Sequence, residues 1–458
     1  MKFKKLLALT LAFSSIFSAS AFASEGFIKD NRTLVPVRGV FEELGFNVAW
    51  DSENATATIE DASHTVVIQK DENYFTVDGN RVEPDVPQSI VNDKFYLPLR
   101  AVGESIGAEL SWDSENKVAT IEYQGKTATV NCETENTSRP LSLWTDGATS
   151  KEALISYMED ITDPSSKNFI PVEDRVAVFD FDGTLFMETD PNYFDYMLLV
   201  HRVLDDENYK DKASDFEKEV AQKIVTQNET GESFKDLPTE HGQAVASAFK
   251  GMSLEEFYNY VEDFKKDPLP SYNGLNRGDG WYLPMLEVVN YLEENDFTVY
   301  VISGTDRFIV RGLAQNSPLD VPVSRIIGSD ETLVASSQGD TDGLDYMITP
   351  EDKLILGGDF VIKNLKMNKV TVIAKEIGQQ PVLSFGNSSG DSSMAEYTVS
   401  NNPYKALAFM LCCDDLEREN GNEKKANDMY ELCQKYNWIP VSMKNDWNTI
   451  YGDKVSKK

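Results

Sequence analysis

In Ala177-Val-Phe-Asp-Phe-Asp-Gly-Thr-Leu-Phe186 two carboxylates stand two residues apart at the end of an apolar run, a spacing suited to phosphoryl chemistry. Val176 to Phe179 read as a buried β-strand, so the chain emerges at the carboxyl edge of a sheet, where open α/β folds hold their ligands. Residues two apart on a continuing strand share a face. Asp180 and Asp182 therefore converge, and Gly183 allows the backbone to turn beside them. One carboxylate can attack phosphorus while the other moves the proton. A lone Asp-x-Asp is more often a solvated turn at a strand end, so the weight rests on what the rest of the chain supplies.

Three further segments supply it. Val299-Tyr-Val-Ile-Ser303-Gly304 is an apolar strand ending in a hydroxyl residue. Lys369 begins a segment in which Val370, Ile373, Ala374 and Ile377 recur at helical spacing, with Lys363 and Lys366 as nearby competitors. Val382-Leu-Ser-Phe-Gly386 leads through Asn387 and a loop to Asp391. In this order the four segments resemble the motifs of the haloacid dehalogenase-like hydrolase superfamily, in which phosphatases predominate. The resemblance implies Asp180 as nucleophile and Asp182 as general acid and base. It implies Ser303 and Lys369 on the phosphoryl oxygens, with Gly304 and Thr184 as further substrate contacts. It also implies Mg2+ held by Asp180, Asp391 and the backbone carbonyl of Asp182. Asn387 stands where the family commonly has an Asp; its amide oxygen is a donor that magnesium accepts, with less charge to hold the ion. Arg307 could reach a substrate phosphate or carboxylate, although a surface Arg is the plainer reading. His64, His201 and His241 lie outside all four motifs and read as surface or packing residues.

The implied fold is α/β, a Rossmann-like parallel sheet. Asp180 and Ser303 are too far apart for a single crossover helix, and helical periodicity in Tyr193–Val203, Ala213–Val225 and Leu254–Phe264 predicts an α-helical cap at about 187–282. Such a cap would set specificity. Leu141-Ser-Leu-Trp144, the helical Lys151–Thr162 and Trp438-Ile-Pro-Val-Ser442 extend the likeness, to a phosphoserine-phosphatase-like branch, over 140–458. Ser336 to Gly343 reads as a hairpin or turn.

Pro36–Glu60 and Pro98–Glu122 align at an offset of 62 residues with 14 identities in 25, including Trp50-Asp-Ser-Glu-Asn54 and Trp112-Asp-Ser-Glu-Asn116. This internal repeat predicts, in each copy, a strand, a helix stopped by Gly45 or Gly107, and two strands joined by the Asp-Ser-Glu-Asn turn. Trp50 and Trp112 are expected to anchor small cores. The repeat, 24–123, resembles the copper amine oxidase N-terminal (stalk) domain, in a small α+β module whose expected role is a spacer or cell-wall association. No copper is implied, since the region holds one histidine, His64. Residues 124–139 are polar and read as a linker.

Met-Lys-Phe-Lys-Lys, an apolar Leu6–Phe13 and Ala21-Phe22-Ala23 have the layout of a signal peptide cleaved after Ala23, so residues 1–23 are expected to be lost on secretion. No later segment is apolar enough to cross a membrane. The formal charge of −33 becomes −36 once Lys2, Lys4 and Lys5 leave with the signal. That acidity argues against nucleic-acid binding and against anionic lipid. Cys132, Cys412, Cys413 and Cys433 lack paired ligand spacing, which argues against zinc. The expected protein is a secreted, magnesium-dependent phosphatase of small phosphomonoesters acting through an aspartyl phosphate. The alternatives are a phosphotransferase, or a cell-surface binding protein with a degenerate hydrolase domain.

Overall fold

The computed structural model describes residues 24–29, 32–51, 56–69, 72–84, 86, 88–91, 94–113, 118–134 and 140–458. The chain divides between Arg139 and Pro140 into two compact units. The expected leader, 1–23, and most of both Asp-Ser-Glu-Asn turns lie outside the described residues.

In the first unit each repeat places a seven-residue helix, Val37–Glu43 or Leu99–Ser105, directly after its Pro36 or Pro98. The helices end at Gly45 and Gly107, both at positive φ. The strand pairs Asn47–Asp51 with Thr56–Glu60 and Glu109–Asp113 with Val118–Tyr123 are antiparallel. Repeat-related residues such as Val40 and Val102, or Ile59 and Ile121, enter one continuous core. Neither copy has a core of its own.

Two expectations fail in this unit. Trp50 and Trp112 are 47 % and 44 % exposed, because each sits near the end of an edge strand while Phe41, Phe46, Ile59 and Ile121 fill the interior. The segment read as a linker contains a nine-residue strand, Lys126–Thr134, paired with Val118–Tyr123 and with Ser24–Lys29. Its polar residues alternate with Ala128 and Val130, which point into the core, and Gln124 and Gly125, both at positive φ, make the tight turn before it.

The second unit is built on a seven-stranded sheet. Its order is Leu354–Ile362, Ile326–Ala335, Thr298–Asp306, Val176–Phe179, Leu383–Gly386, Leu407–Cys412 and Ile439–Ser442. The pairings are parallel except between the first two strands of that order. All four residues of Val176–Phe179 are buried, as expected of a parallel strand covered on both faces. Val178 faces Ile302, Ile327, Val372, Ile373 and Met394, while Ala177 and Phe179 join the larger core on the other side. From Val176–Phe179 the chain adds strands outward on one side, then returns to its other side. That topological switch point is where such sheets bind ligands.

A cap of helices follows the first strand: Phe194–Val200, Asp215–Thr230, Leu237–Ala248 and Leu254–Phe264. Ser214 with Glu217, and Ser253 with Glu256, form capping boxes that start the second and fourth. The third was not expected, since Pro238, Thr239 and Gly242 dilute its pattern. The antiparallel strands Ile326–Ala335 and Leu354–Ile362 form an arm, with 336–353 as its connection, that docks on this cap. There Gly251 N–H donates to Leu356 O, Leu356 N–H donates to Met252 O, and Phe360 packs on Gly242.

Glu331 lies on the arm, 5 % exposed, with neither carboxylate oxygen hydrogen-bonded. Burial, then the charges of Asp306 and Asp330, push it up to about 9. A carboxyl whose folded pKa is raised holds its proton longer in the folded state, so stability is present near pH 4.5 and is lost as pH rises towards 9. Glu331→Gln should therefore stabilise the protein by roughly 1–3 kcal/mol at pH 8, the cost of an unpaired buried polar group, and by little at pH 4.5. Urea denaturation across that range checks it; an equal effect at both ends would refute the buried-carboxyl account.

Candidate functional site

The site is assembled at the switch point. Asp180 N–H donates to Phe385 O, which continues the sheet by one residue and holds the Asp180 carboxyl, 7 % exposed, at its edge. The chain then coils tightly: the N–H groups of Thr184, Leu185 and Phe186 all donate to Phe181 O, and Gly183 N–H donates to Phe186 O. Gly183 has φ +78°, and a Cβ there would lie 1.9 Å from Asn387 Nδ2. Glycine is therefore required both by the turn and by the carboxamide lying across it.

Lys369 is fully buried, and its Nζ donates to Asp180 Oδ1 and, at 2.7 Å, to Asp391 Oδ1. Among the three lysines weighed from sequence, this is the one between the carboxylates. Asp391 Oδ2 accepts from the backbone N–H groups of Asn387 and Ser388 and from the Ser388 hydroxyl. Gly386 allows this approach, since a Cβ there would meet Asp391 Cβ at 2.6 Å. Burial, then the Asp391 charge, push Asp180 up, and Lys369 opposes both.

Asp182 is treated differently. Its Oδ2 accepts from the Thr305 hydroxyl at 2.7 Å, while its buried Oδ1 has no partner. Burial, then the Asp195 charge, raise it well above the ordinary carboxylate range. Two carboxyls two residues apart thus have opposite surroundings, one against a buried ammonium and one against a neutral hydroxyl.

Asp180, Asp182, Thr305 and Asp391 line a cavity of about 140 Å³ with Glu188, Tyr193, Asp195, Tyr196, Pro238, Gly304, Lys363, Leu365, Asn387 and Ser388, and Lys369 lies buried behind the two carboxylates it joins. Several residues singled out from sequence lie elsewhere. Ser303 is buried behind the wall, its hydroxyl accepting from Thr305 N–H, so that Gly304 and Thr305 face the cavity in its place. Thr184 is fully buried and lines no part of it. Arg307 does not line the cavity: Glu376 at 2.8 Å and Asp330 at 3.1 Å clamp its guanidinium. Thr305, Glu188, Tyr193, Asp195 and Tyr196 were missed. A hydroxyl two residues past Ser303 was the one local signal available.

Among the described residues no three His, Cys, Asp or Glu side chains converge as metal ligands. The donors at the sheet edge are two carboxylates and the Asn387 carboxamide, and a single buried lysine balances two negative charges. Such a set fits magnesium, which is held by one or two carboxylates and completes its shell with water and substrate phosphate.

Residues 18–121 match the family model described as the copper amine oxidase N-terminal domain. Among solved structures, the chain is similar to a conserved functionally unknown protein from Anaerococcus prevotii DSM 20548, at 15 % identity and TM-score 0.40, covering 64 % of this chain and 91 % of that one. It is also similar to a phosphoserine phosphohydrolase-like protein from Francisella tularensis subsp. tularensis SCHU S4, at 16 % identity and TM-score 0.28, covering 52 % and 87 %. A third is the HAD hydrolase, family IA, variant 3 from Entamoeba histolytica HM-1:IMSS, at 12 % identity and TM-score 0.29, covering 58 % and 92 %. A comparison with curated proteins gave no match.

Removing Lys369 would leave Asp180 and Asp391 buried and facing one another. Lys369→Met should cost roughly 3–5 kcal/mol of stability at neutral pH, the usual effect of removing one partner from a buried ion pair. The loss should shrink at pH 5, where the pair can take up a proton. Urea midpoints at the two pH values test this, and an unchanged midpoint at pH 7 would mean that Lys369 does not hold the pair.

Proposed function

We propose that the protein is an exported, magnesium-dependent phosphatase of small phosphomonoesters, with Asp180 as nucleophile and Asp182 as general acid and base. The observation that carries this reading is the contrast between the two carboxyls. Burial and Asp391 raise Asp180 to about 7, but Lys369 opposes the rise and leaves it the more readily ionised of the two, as attack on phosphorus requires. Burial favours the protonated form of Asp182, as protonation of a leaving alkoxide requires.

In the proposed cycle a phosphomonoester enters beneath the cap and Asp180 displaces its alcohol in line, forming an aspartyl phosphate. Asp182, oriented by Thr305, gives its proton to the departing oxygen, then takes one from the water that attacks phosphorus. Lys369 and the backbone at Gly304 and Thr305 meet the phosphoryl oxygens where charge accumulates. Magnesium would be held by Asp180, Asp391 and the Asp182 backbone carbonyl, with the Asn387 amide oxygen as a further donor; when bound it would neutralise phosphoryl oxygens. The cap side of the pocket is walled by Glu188, Tyr193, Asp195, Tyr196 and Pro238. A phosphotransferase would use the same groups and differ in the acceptor. The degenerate binding-protein alternative rests on Asn387, and the intact Asp180, Asp182 and Lys369 weigh against it.

Export rests on the leader sequence and its expected cleavage after Ala23. In the described residues no helix is long and apolar enough to cross a membrane. For the repeat domain we infer association with the cell wall. Its support is the exposure of Trp50 and Trp112 at repeat-related positions, since exposed aromatic faces can stack on sugars.

Protein spanning Ser24 to Lys458 should release phosphate from small phosphomonoesters with magnesium and not with a chelator. Asp180→Asn should lower the rate at least about a thousandfold and Asp182→Asn about 10²–10⁴-fold. Undiminished phosphate release by Asp180→Asn would remove the nucleophile assignment, and alkyl phosphate formed with added alcohols would favour the transferase. In a separate test, the same protein should co-sediment with purified cell walls, and Trp50→Ala with Trp112→Ala should abolish it. Equal sedimentation of that double variant would leave the tryptophans without this role.

A further inference from the structure

The cavity holds an acidic group that touches no reacting atom in the hydrolytic cycle. Asp195 lies in the first turn of the cap helix Phe194–Val200 and is 2 % exposed, yet it lines the cavity. Its Oδ1 has no hydrogen-bond partner. His241 lies against it, with Nδ1 3.7 Å from Asp195 Oδ2, beyond hydrogen-bond reach, and Nε2 3.2 Å from the Asp195 backbone carbonyl oxygen. Burial pushes His241 down to about 4, so its ring brings no positive charge at neutral pH. A buried carboxylate without a counter-charge is costly. Here the protein keeps one in the wall of its own pocket.

The other acids of the cavity are accounted for. Asp180 and Asp391 share Lys369, Asp182 accepts from Thr305, and Glu188 accepts from the Tyr193 hydroxyl and pairs with Lys425 at 3.2 Å. Asp195 is left. Beside it Tyr193 and Tyr196 line the cavity with ring centroids 5.4 Å apart, a surface that suits an alkylammonium. A cavity of about 140 Å³ is small against the roughly 300–1,000 Å³ that holds a drug-sized ligand, so the alcohol must be short.

Resting on the phosphatase reading, we propose that the substrates are phosphomonoesters of short amino alcohols, whose ammonium pairs with the Asp195 carboxylate and lies along Tyr193 and Tyr196. The phosphate then meets Asp180 at the sheet edge while the cationic end meets the cap. A neutral polyol phosphate could offer Asp195 a hydroxyl but no counter-charge, and would bind more weakly.

The test compares aminoethyl phosphate with hydroxyethyl phosphate, which are nearly isosteric and differ in charge. Wild-type kcat/KM should favour the amine by roughly ten- to a hundredfold, as expected of one charge-assisted hydrogen bond, and Asp195→Asn should bring the ratio towards one. A wild-type ratio near one overturns the proposal, and so does a preference that survives in Asp195→Asn. The wild-type ratio stands alone if that variant fails to fold. If no ester is turned over, the phosphatase reading fails separately. Calorimetry of the two esters with Asp180→Asn then decides: tighter binding of the amine supports the Asp195 site, and equal or absent binding overturns it.

Discussion

Two carboxylates at the ends of neighbouring parallel strands cannot both stay charged in a protein interior unless a cation lies between them. Lys369 is that cation, and much of the second unit serves to place it. Its helix, Met367–Val372, sits on the sheet through Val372 and Ile373, which pack with Val178, Ile302 and Met394. The loop before it is tied by Asn364, whose side-chain amide donates to Ser303 O and whose backbone N–H donates to the Ser329 hydroxyl. Ser329 in turn donates to Gly304 O. One network thus fixes the ammonium, the backbone facing the phosphate and the strand that carries Thr305. Because Coulomb attraction strengthens as the local dielectric falls, a displacement that would be trivial in water has a large effect here.

The same constraint separates the duties of Asp180 and Asp182. The pair lies on one short stretch of chain, so local sequence cannot distinguish their titration. The fold distinguishes them by what it packs against each: a buried ammonium on one, a neutral hydroxyl and the acidic cap on the other. Asp195 therefore acts on the acid as well as lining the pocket, since its charge is the second cause of the raised Asp182 pKa.

The sheet and the main residues of its edge were legible because they leave strong local marks. Continuous apolar runs such as Val176–Phe179 and Leu383–Gly386 read as strands, and the polar residue closing each falls at the carboxyl edge. Lys369 was preferred over Lys363 and Lys366 because it opens the segment of helical spacing, and its Nζ is the one that lies between Asp180 and Asp391. Thr305, Glu188 and Asp195 escaped because a pocket wall is assembled from chain segments that share no local pattern. In the first unit, Lys126–Thr134 was lost because every second residue is polar, which is how a strand with one wet face must look. Trp50 and Trp112 misled in the opposite sense: size suggested burial, but the edge strands end before the core closes over them.

A chain of formal charge −33 is a poor partner for a phosphate ester at long range, so recognition must be local. At the sheet edge Lys369 and a bound divalent cation would reverse the field over a few ångströms. The reversal does not reach the cap, where Asp195 and Glu188 keep the wall negative. Under the proposed reading the cavity would then be polarised along its length with the cation bound, positive where phosphorus would be attacked and negative where the alcohol would lie. An ester carrying opposite charges at its two ends would be aligned by that gradient before any specific contact forms, while a uniformly anionic one would be repelled by the cap. The overall acidity and the demand for a phosphate are thus reconciled by geometry: the excess negative charge of the chain becomes part of the discrimination, provided the sheet edge stays locally positive.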